Sequence, residues 1–187
     1  MNETLYLLCG RSASGKTTIA EILEEKLGMS QLQSYTTRPR RYEGERGHVF
    51  ISEDDFSKLR DIIAYTEYDN HKYCCTKAQI DCANIYLIDV PGIETLLEKY
   101  QSDRPIVVIY FDADVRTRID RMVKRNDSDT AIVSRLYTDE QLDWERELNK
   151  LVWHYKNNEG KDVDMFVVDA NQDTDGVIAQ IMKFIGG

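Results

Sequence analysis

The sequence lacks long apolar runs, repeats and tracts of low complexity. In 187 residues, no hydrophobic stretch approaches the roughly 20 residues that a membrane-spanning helix needs. The N-terminus has no basic region followed by an apolar core, so no signal peptide is visible. We therefore expect a cytoplasmic protein of one domain that has no membrane partner.

Cysteine and positive charge are also scarce. The four cysteines, Cys9, Cys74, Cys75 and Cys82, form no C-x-x-C pair. In a cytoplasmic protein this favours free thiols over disulfides or a zinc site. The net charge of −9 argues against a nucleic-acid partner, so an anionic ligand needs a local basic cluster.

One stretch, GRSASGKT at residues 10–17, follows the pattern G-x-x-x-x-G-K-[ST]. It lies between a predicted buried strand, residues 4–9, and a predicted amphipathic helix, residues 17–27. In that context the pattern indicates a phosphate-binding loop, because glycine lets the backbone approach a phosphate and the first helical N–H groups lack internal partners. Lys16 would then meet the β- and γ-phosphates of ATP, and the Thr17 hydroxyl would ligate Mg²⁺. The predicted ATP-binding residues are Gly10, Ser12, Ala13, Ser14, Gly15, Lys16, Thr17 and Thr18.

The most basic segment of this acidic chain follows at residues 34–48. Arg38, Arg40, Arg41 and Arg46 lie within nine residues, and Pro39 and two glycines favour a loop. A solvated basic loop is one interpretation. The other is a second anion site, since arginine forks bind phosphate oxygens bidentately.

The remaining pattern predicts an α/β fold with a parallel sheet. Apolar runs at residues 85–89, 105–111 and 163–168 do not alternate with polar residues, as expected of parallel strands covered on both faces. Residues 34–80 read as a β-rich insertion. We expect a turn at residues 91–92 before a helix over 93–100, and one helix from residue 130 to about 157.

Two further features concern charge. The strand at residues 85–89 ends in Asp89, as does the second nucleotide-site motif of phosphate-loop proteins, where the acid faces Mg²⁺ directly or through water. Arg121, Arg125 and Arg135 surround a polar break at residues 124–129. They form either a solvated face with internal ion pairs or a mobile lid over a triphosphate.

Together these segments resemble the guanylate kinases, a branch of the nucleoside monophosphate kinases. The resemblance runs almost end to end and rests on the phosphate loop, on TTRPRR at residues 36–41 followed by Gly44 and Glu45, and on the later arginines. It implies a phosphate-loop kinase core (residues 1–33, 82–120 and 142–187), a β-rich monophosphate-binding insertion (34–81) and a short helical lid (121–141). ATP, Mg²⁺ and GMP are the implied ligands, and the implied assembly is a monomer or weak homo-oligomer.

The resemblance also assigns roles residue by residue. Arg38 and Arg41 would hold the acceptor phosphate. Ser34, Glu67 and Asp89 would contact guanine. The implied catalytic residues are Lys16, Arg121, Arg125 and Arg135; the implied metal residues are Thr17 and, through water, Asp89; the implied acceptor-binding residues are Ser34, Arg38, Arg41, Glu45, His48, Glu67, Tyr73, Cys75 and Asp89.

The chain departs from the family pattern mainly at the acceptor end. Two residues, Tyr42 and Glu43, intervene before Gly44, so Glu43 competes with Glu45 for its role. Cys74 and Cys75 replace a glycine and a hydroxyl residue. A kinase of another acceptor, such as ribose 1,5-bisphosphate, is therefore an alternative. A non-catalytic protein-binding module is disfavoured because the phosphate loop keeps its glycine, lysine and threonine.

Overall fold

A computed structural model describes residues 4–40 and 43–186. Within these ranges the strands are β1 (Leu5–Cys9), β2 (Ser34–Thr36), β3 (His48–Phe50), β4 (Ile62–Tyr68), β5 (His71–Thr76), β6 (Ile85–Leu87), β7 (Ile106–Asp112) and β8 (Val163–Asp169). The helices are α1 (Lys16–Leu27), α2 (Glu53–Ser57), α3 (Lys77–Asp81), α4 (Val90–Lys99), α5 (Val115–Lys124), α6 (Asp129–Asp139), α7 (Trp144–Asn157) and α8 (Thr174–Ile185). No helix in the described ranges is both long and apolar enough to cross a membrane.

The core sheet has the order β6-β1-β7-β8, and its strands are parallel. All five residues of β1 are buried, and separate apolar clusters cover the two faces of the sheet. The predicted α/β fold with a parallel sheet is confirmed. Because parallel strands end at one edge, the chain leaves β1 and β6 on the same side, with the phosphate-loop sequence after β1 and Asp89 just after β6.

A second sheet, of order β3-β2-β5-β4, is formed by the polar segment after α1. β5 pairs antiparallel with both β2 and β4. Asp69 and Asn70 connect β4 to β5 with positive φ angles of 52° and 59°, which these two residue types tolerate better than most. The basic segment predicted as a loop therefore supplies β2 and begins β3.

Helix α4 starts earlier than its sequence predicted, so the expected turn at residues 91–92 is wrong. Asp89 is the N-cap, and its carboxylate accepts a hydrogen bond from the Gly92 N–H at 2.9 Å. Pro91 lies in the first turn, where its missing N–H breaks no hydrogen bond. The acid that ends the β6 segment thus also starts the next helix.

The single helix predicted from residue 130 to about 157 is also wrong. The chain forms α6 and α7, with a break at residues 140–143. Asp143 caps α7 by accepting from the Arg146 N–H. The break places the buried Asp139, the last residue of α6, against the phosphate loop.

Candidate active site

Two glycines shape the loop between β1 and α1. A Cβ atom on Gly10 would lie 2.9 Å from the backbone oxygen of Phe111, closer than side chains approach backbone. Gly15, the residue before α1, has a φ of 101°, a conformation that other residues rarely adopt. The loop therefore needs glycine at both positions, in the strand-to-helix context that the motif requires.

Lys16 lies across this loop. Its Nζ donates to the Gly10 oxygen at 2.5 Å, the Arg11 oxygen at 2.9 Å and the Ser14 hydroxyl at 3.2 Å. Burial lowers the pKa of the Lys16 ammonium, because a desolvated cation is disfavoured unless an anion faces it. Phosphate oxygens would supply that anion.

Two neighbouring cavities meet at this loop. One extends toward α5 and α8, and the other is the cleft between the core and the insertion sheet. The residues that line both are Ala13, Lys16, Thr17 and Arg125. A ligand in one cavity would therefore lie close to a ligand in the other, with a lysine between them.

The three predicted lid arginines occupy different positions. Arg121 lies inside α5, and its guanidinium donates to the backbone oxygens of Ser14 (3.1 Å) and Ala170 (2.8 Å). It thus braces the phosphate loop against the segment after β8. Arg125 and Arg135 lie on either side of the break between α5 and α6, and both pair with Asp127, at 2.6 and 2.7 Å.

The arginine cluster has features of both interpretations, a face with internal ion pairs and a lid over a triphosphate. Arg125 and Arg135 form internal ion pairs, yet both also line the cleft beside Lys16. They therefore place positive charge where a phosphoryl group would move between the two cavities.

Arg38 is a buried cation of the insertion. Its guanidinium donates to both carboxylate oxygens of Glu45, at 2.7 and 3.3 Å, and lies 5.2 Å from the centre of the Phe50 ring. Of the two glutamates that compete for this contact, Glu45 is buried and Glu43 is exposed. Arg41 lies outside the described residues, so its role stays a prediction.

Three strands of the insertion bring Ser34, His48 and Tyr73 into the cleft. The Ser34 hydroxyl and His48 Nδ1 are 2.8 Å apart, and the His48 and Tyr73 rings meet edge to face at 5.6 Å. Together with Arg38 they make a polar wall of hydroxyl, imidazole and guanidinium groups, a set suited to an anion.

Cys75 does not join this wall, contrary to the expectation that it contacts the acceptor. Its side chain is fully buried in the core cluster that includes Ile80 and Ile63. Burial raises the pKa of the Cys75 thiol to about 12. The residue is therefore a neutral core side chain. Cys9, Cys74 and Cys82 are free thiols like Cys75.

Asp89 lies at the base of the cleft. Its carboxylate accepts from the Thr66 hydroxyl at 2.8 Å and from the Gly92 N–H at 2.9 Å. Burial raises the pKa of the Asp89 carboxyl above its usual range, although both donors oppose the rise. The position therefore offers a partly desolvated carboxylate to a ligand.

Glu67, predicted to lie beside Asp89, is exposed, and its carboxylate accepts a hydrogen bond from the Tyr65 hydroxyl instead. It is absent from the described residues that line the cleft. Tyr65, Thr66 and Tyr68 line it. None of the three was predicted as a site residue. Alternation along β4 is the signal that could have found Thr66 and Tyr68, which share one face of the strand, but it does not account for Tyr65.

Comparisons with known proteins agree with this geometry. No family model matches the chain. Guanylate kinase from Thermotoga maritima is 29% identical over 148 residues, which cover 71% of this chain and 70% of the relative. Guanylate kinase from Fusobacterium nucleatum is 25% identical over 162 residues, 79% of this chain and 86% of the relative.

A solved structure shares the fold. The crystal structure of guanylate kinase from Anaplasma phagocytophilum matches with a TM-score of 0.53 and 16% identity, over 98% of this chain and 84% of that one. The sequence relatives and the phosphate-loop geometry converge on one assignment. The chain is similar in sequence to guanylate kinases and shares their fold, and it is a nucleoside monophosphate kinase.

Proposed function

We propose that the protein transfers the γ-phosphoryl group of ATP to GMP, and to dGMP, producing ADP and GDP or dGDP. The observation that carries this proposal is the shared wall of the two cavities, where Lys16, Thr17 and Arg125 face both. Phosphoryl transfer needs mainly positioning and charge stabilisation. The names of the curated relatives support GMP as the acceptor.

The positions of the cations suggest a different role for each group of them. Lys16 in the loop, with Arg125 and Arg135 in the cleft, would stabilise charge on the group in transit. Arg38, with Ser34, His48 and Tyr73, would hold the acceptor phosphate at the insertion. Arg121 would act indirectly, because its guanidinium is committed to loop carbonyls.

The chemistry of the donor set fits Mg²⁺. The described residues contain no cluster of three His, Cys, Asp or Glu side chains that could hold a metal, but Mg²⁺ usually takes only one or two protein ligands beside phosphate oxygens and water. The Thr17 hydroxyl, exposed in the first turn of α1, would hold it, with Asp89 acting through water. When bound, Mg²⁺ would neutralise charge on the transferred phosphoryl group.

Asp89 also supports guanine as the base. Guanine presents two adjacent donors, N1–H and the N2 amino group, which suit one carboxylate. Adenine presents an acceptor at N1 and nothing at C2. In the same cleft the Thr66 hydroxyl donates to the Asp89 carboxylate. A carboxylate can accept about four hydrogen bonds, so Asp89 can also accept from the N1–H and N2 amino groups of guanine.

A sugar phosphate acceptor is the second candidate, and one observation favours it. Glu67 is exposed and Cys75 is in the core, which leaves Asp89 with fewer partners for reading a base than the resemblance implied.

An acceptor panel separates the two candidates. We expect rapid ADP release from ATP and Mg²⁺ with GMP or dGMP, and slow release with AMP, CMP, UMP or ribose 1,5-bisphosphate. Release only with the sugar phosphate would replace the proposal.

Arg38→Lys should weaken acceptor binding specifically. Lysine keeps the charge but loses the planar fork, and a hydrogen bond to a charged group is worth about 1.5–3 kcal/mol. We expect the KM for GMP to rise roughly tenfold or more while the KM for ATP stays unchanged. Arg40→Lys, at an exposed arginine whose guanidinium stacks 4.3 Å from the Phe50 ring, is the matched control. Equal changes in both KM values would contradict the assignment.

As the pH is lowered, activity with GMP should begin to fall at a higher pH than it would if Asp89 had the pKa of an ordinary aspartate. The raised pKa of Asp89 means that its carboxylate protonates early as the pH falls, and a protonated carboxyl accepts poorly from two donors. The pH profile of kcat/KM for GMP reports groups of the free enzyme. Asp89→Asn should remove this acid limb, and a limb unchanged in that variant would contradict the assignment of the limb to Asp89.

A further inference from the structure

A buried junction joins the phosphate loop to the end of α6. Asp139 is 1% exposed. Its Oδ2 accepts from the Ser12 backbone N–H at 2.8 Å and from Arg118 at 2.9 Å, and its Oδ1 accepts from the Ser12 hydroxyl at 3.3 Å. One carboxylate from the lid segment therefore holds both the backbone and the side chain of a loop residue.

The loop holds the same segment in return. Arg11 donates to the backbone oxygens of Asp139 and Leu142, both at 3.4 Å. Within the segment, the indole N–H of the buried Trp144 donates to the backbone oxygen of Asp139 at 3.1 Å. The end of α6 and the start of α7 are thus fixed to two consecutive loop residues by contacts in both directions.

Stability alone does not account for this arrangement. Arg118, like Asp139, is 1% exposed, and a buried ion pair is often no more stabilising than apolar residues of the same volume, whereas its geometry is restrictive. The Asp139 carboxylate of this pair also binds Ser12 of the phosphate loop. Positioning of the loop therefore explains the pair better than stabilisation of the fold does.

The group that this junction positions is Arg135. It lies four residues before Asp139 on α6, which places both on one face of the helix, one turn apart. Both line the cleft that Lys16 also lines. Because a helix is stiff over one turn, fixing Asp139 to Ser12 fixes where Arg135 stands relative to the phosphate loop.

We propose that Asp139, held by Arg118, is a positioning residue that sets the Arg135 guanidinium against the phosphate loop for the chemical step. The proposal rests on the proposed phosphoryl transfer. Asp139 contacts no reacting atom and acts through Arg135. Its loss should therefore lower turnover rather than substrate affinity.

Asp139→Asn is the variant that tests this, because it keeps the shape and removes the charge. A misplacement of about 1 Å can cost roughly 100-fold in rate, so we expect kcat to fall roughly 10- to 100-fold, with both KM values within about twofold. Glu140→Gln is the matched control. Glu140 is the next residue and also pairs with Arg118 at 2.9 Å. Its side chain is 51% exposed, and it meets the loop through a 3.9 Å ion pair with Arg11 rather than through hydrogen bonds to Ser12. It should keep near-normal kcat.

A double-mutant cycle separates positioning from general destabilisation. If Asp139 acts through Arg135, Asp139→Asn should cost little further kcat once Arg135→Ala is present. Independent, multiplicative losses would overturn the proposal, as would an unchanged kcat in Asp139→Asn. If Asp139→Asn does not fold, Ser12→Ala removes one of the three contacts and should show a smaller loss with the same dependence on Arg135.

The junction can also be monitored without activity. Trp144 is buried and Trp153 is 62% exposed, so a Trp153→Phe background isolates the emission of Trp144. We expect Asp139→Asn to move that emission to longer wavelength, because the junction admits water, and Glu140→Gln to leave it in place. No shift with Asp139→Asn would overturn the junction itself. A wild-type protein that transfers phosphate to no acceptor, with the Trp144 shift present, would overturn the proposed function and leave the junction standing.

Discussion

Lys16→Ala should reduce phosphoryl transfer by roughly 1,000-fold, the scale of losing a strong electrostatic contact to the transition state. Lys16 is the lysine that lines both cavities, and its ammonium donates to three loop oxygens. Replacing it removes the cation held within the phosphate loop, and Arg125 and Arg135 remain in the cleft. Steady-state ADP release with GMP, corrected for release without acceptor, measures the loss.

The fold should survive this change. Burial lowers the pKa of Lys16, so the charged form is disfavoured in the folded protein relative to water, and removing the ammonium relieves that desolvation. Lys26→Ala, at an exposed position in the last turn of α1, is the matched control. A folded Lys16→Ala protein with wild-type turnover would remove the assignment of the loop as the catalytic phosphate site.

The second large effect concerns the base. We expect kcat/KM for GMP to exceed that for AMP by roughly 10⁴-fold, because a site built around hydrogen-bond partners rejects an analogue that leaves them unpaired. The discriminating group is Asp89, whose carboxylate lies in the cleft. Competing GMP and AMP in one reaction, with product nucleotides separated and quantified, gives the ratio directly.

Asp89→Asn should lower this ratio by roughly 10- to 100-fold, the range for a hydrogen bond to a charged group. Asparagine is also a good N-cap, so α4 should keep its start. Its amide would present an N–H group to a base edge that itself donates. Glu67→Gln is the matched control, since Glu67 is exposed. A ratio that falls with Glu67→Gln and not with Asp89→Asn would reverse the two assignments.

Features encoded by adjacent residues could be predicted from the sequence. The phosphate loop is one, because its glycines, lysine and flanking strand and helix are consecutive in the chain. The parallel core sheet is another, because its strands are unbroken apolar runs. The position of Asp89 after β6 followed from the same pattern.

Features that depend on contacts between residues far apart in the chain could not be predicted from the sequence. Whether Glu67 or Thr66 faces the cleft depends on the register of β4 against β5, and a shift of one residue exchanges the two faces. The end of α6 at Asp139 depends on Ser12, which lies 127 positions away. A periodicity that continues across residues 140–143 gives no sign of that contact.

The most direct test of the central claim is the fate of the γ-phosphate. The protein is incubated with Mg²⁺, GMP and ATP labelled at the γ-position, and the products are separated. We expect the label to appear in the β-phosphate of GDP, in amounts equal to the ADP formed, and Lys16→Ala to slow its appearance roughly 1,000-fold. Label that remains in ATP, is released as inorganic phosphate, or enters ribose 1,5-bisphosphate but not GMP would contradict it.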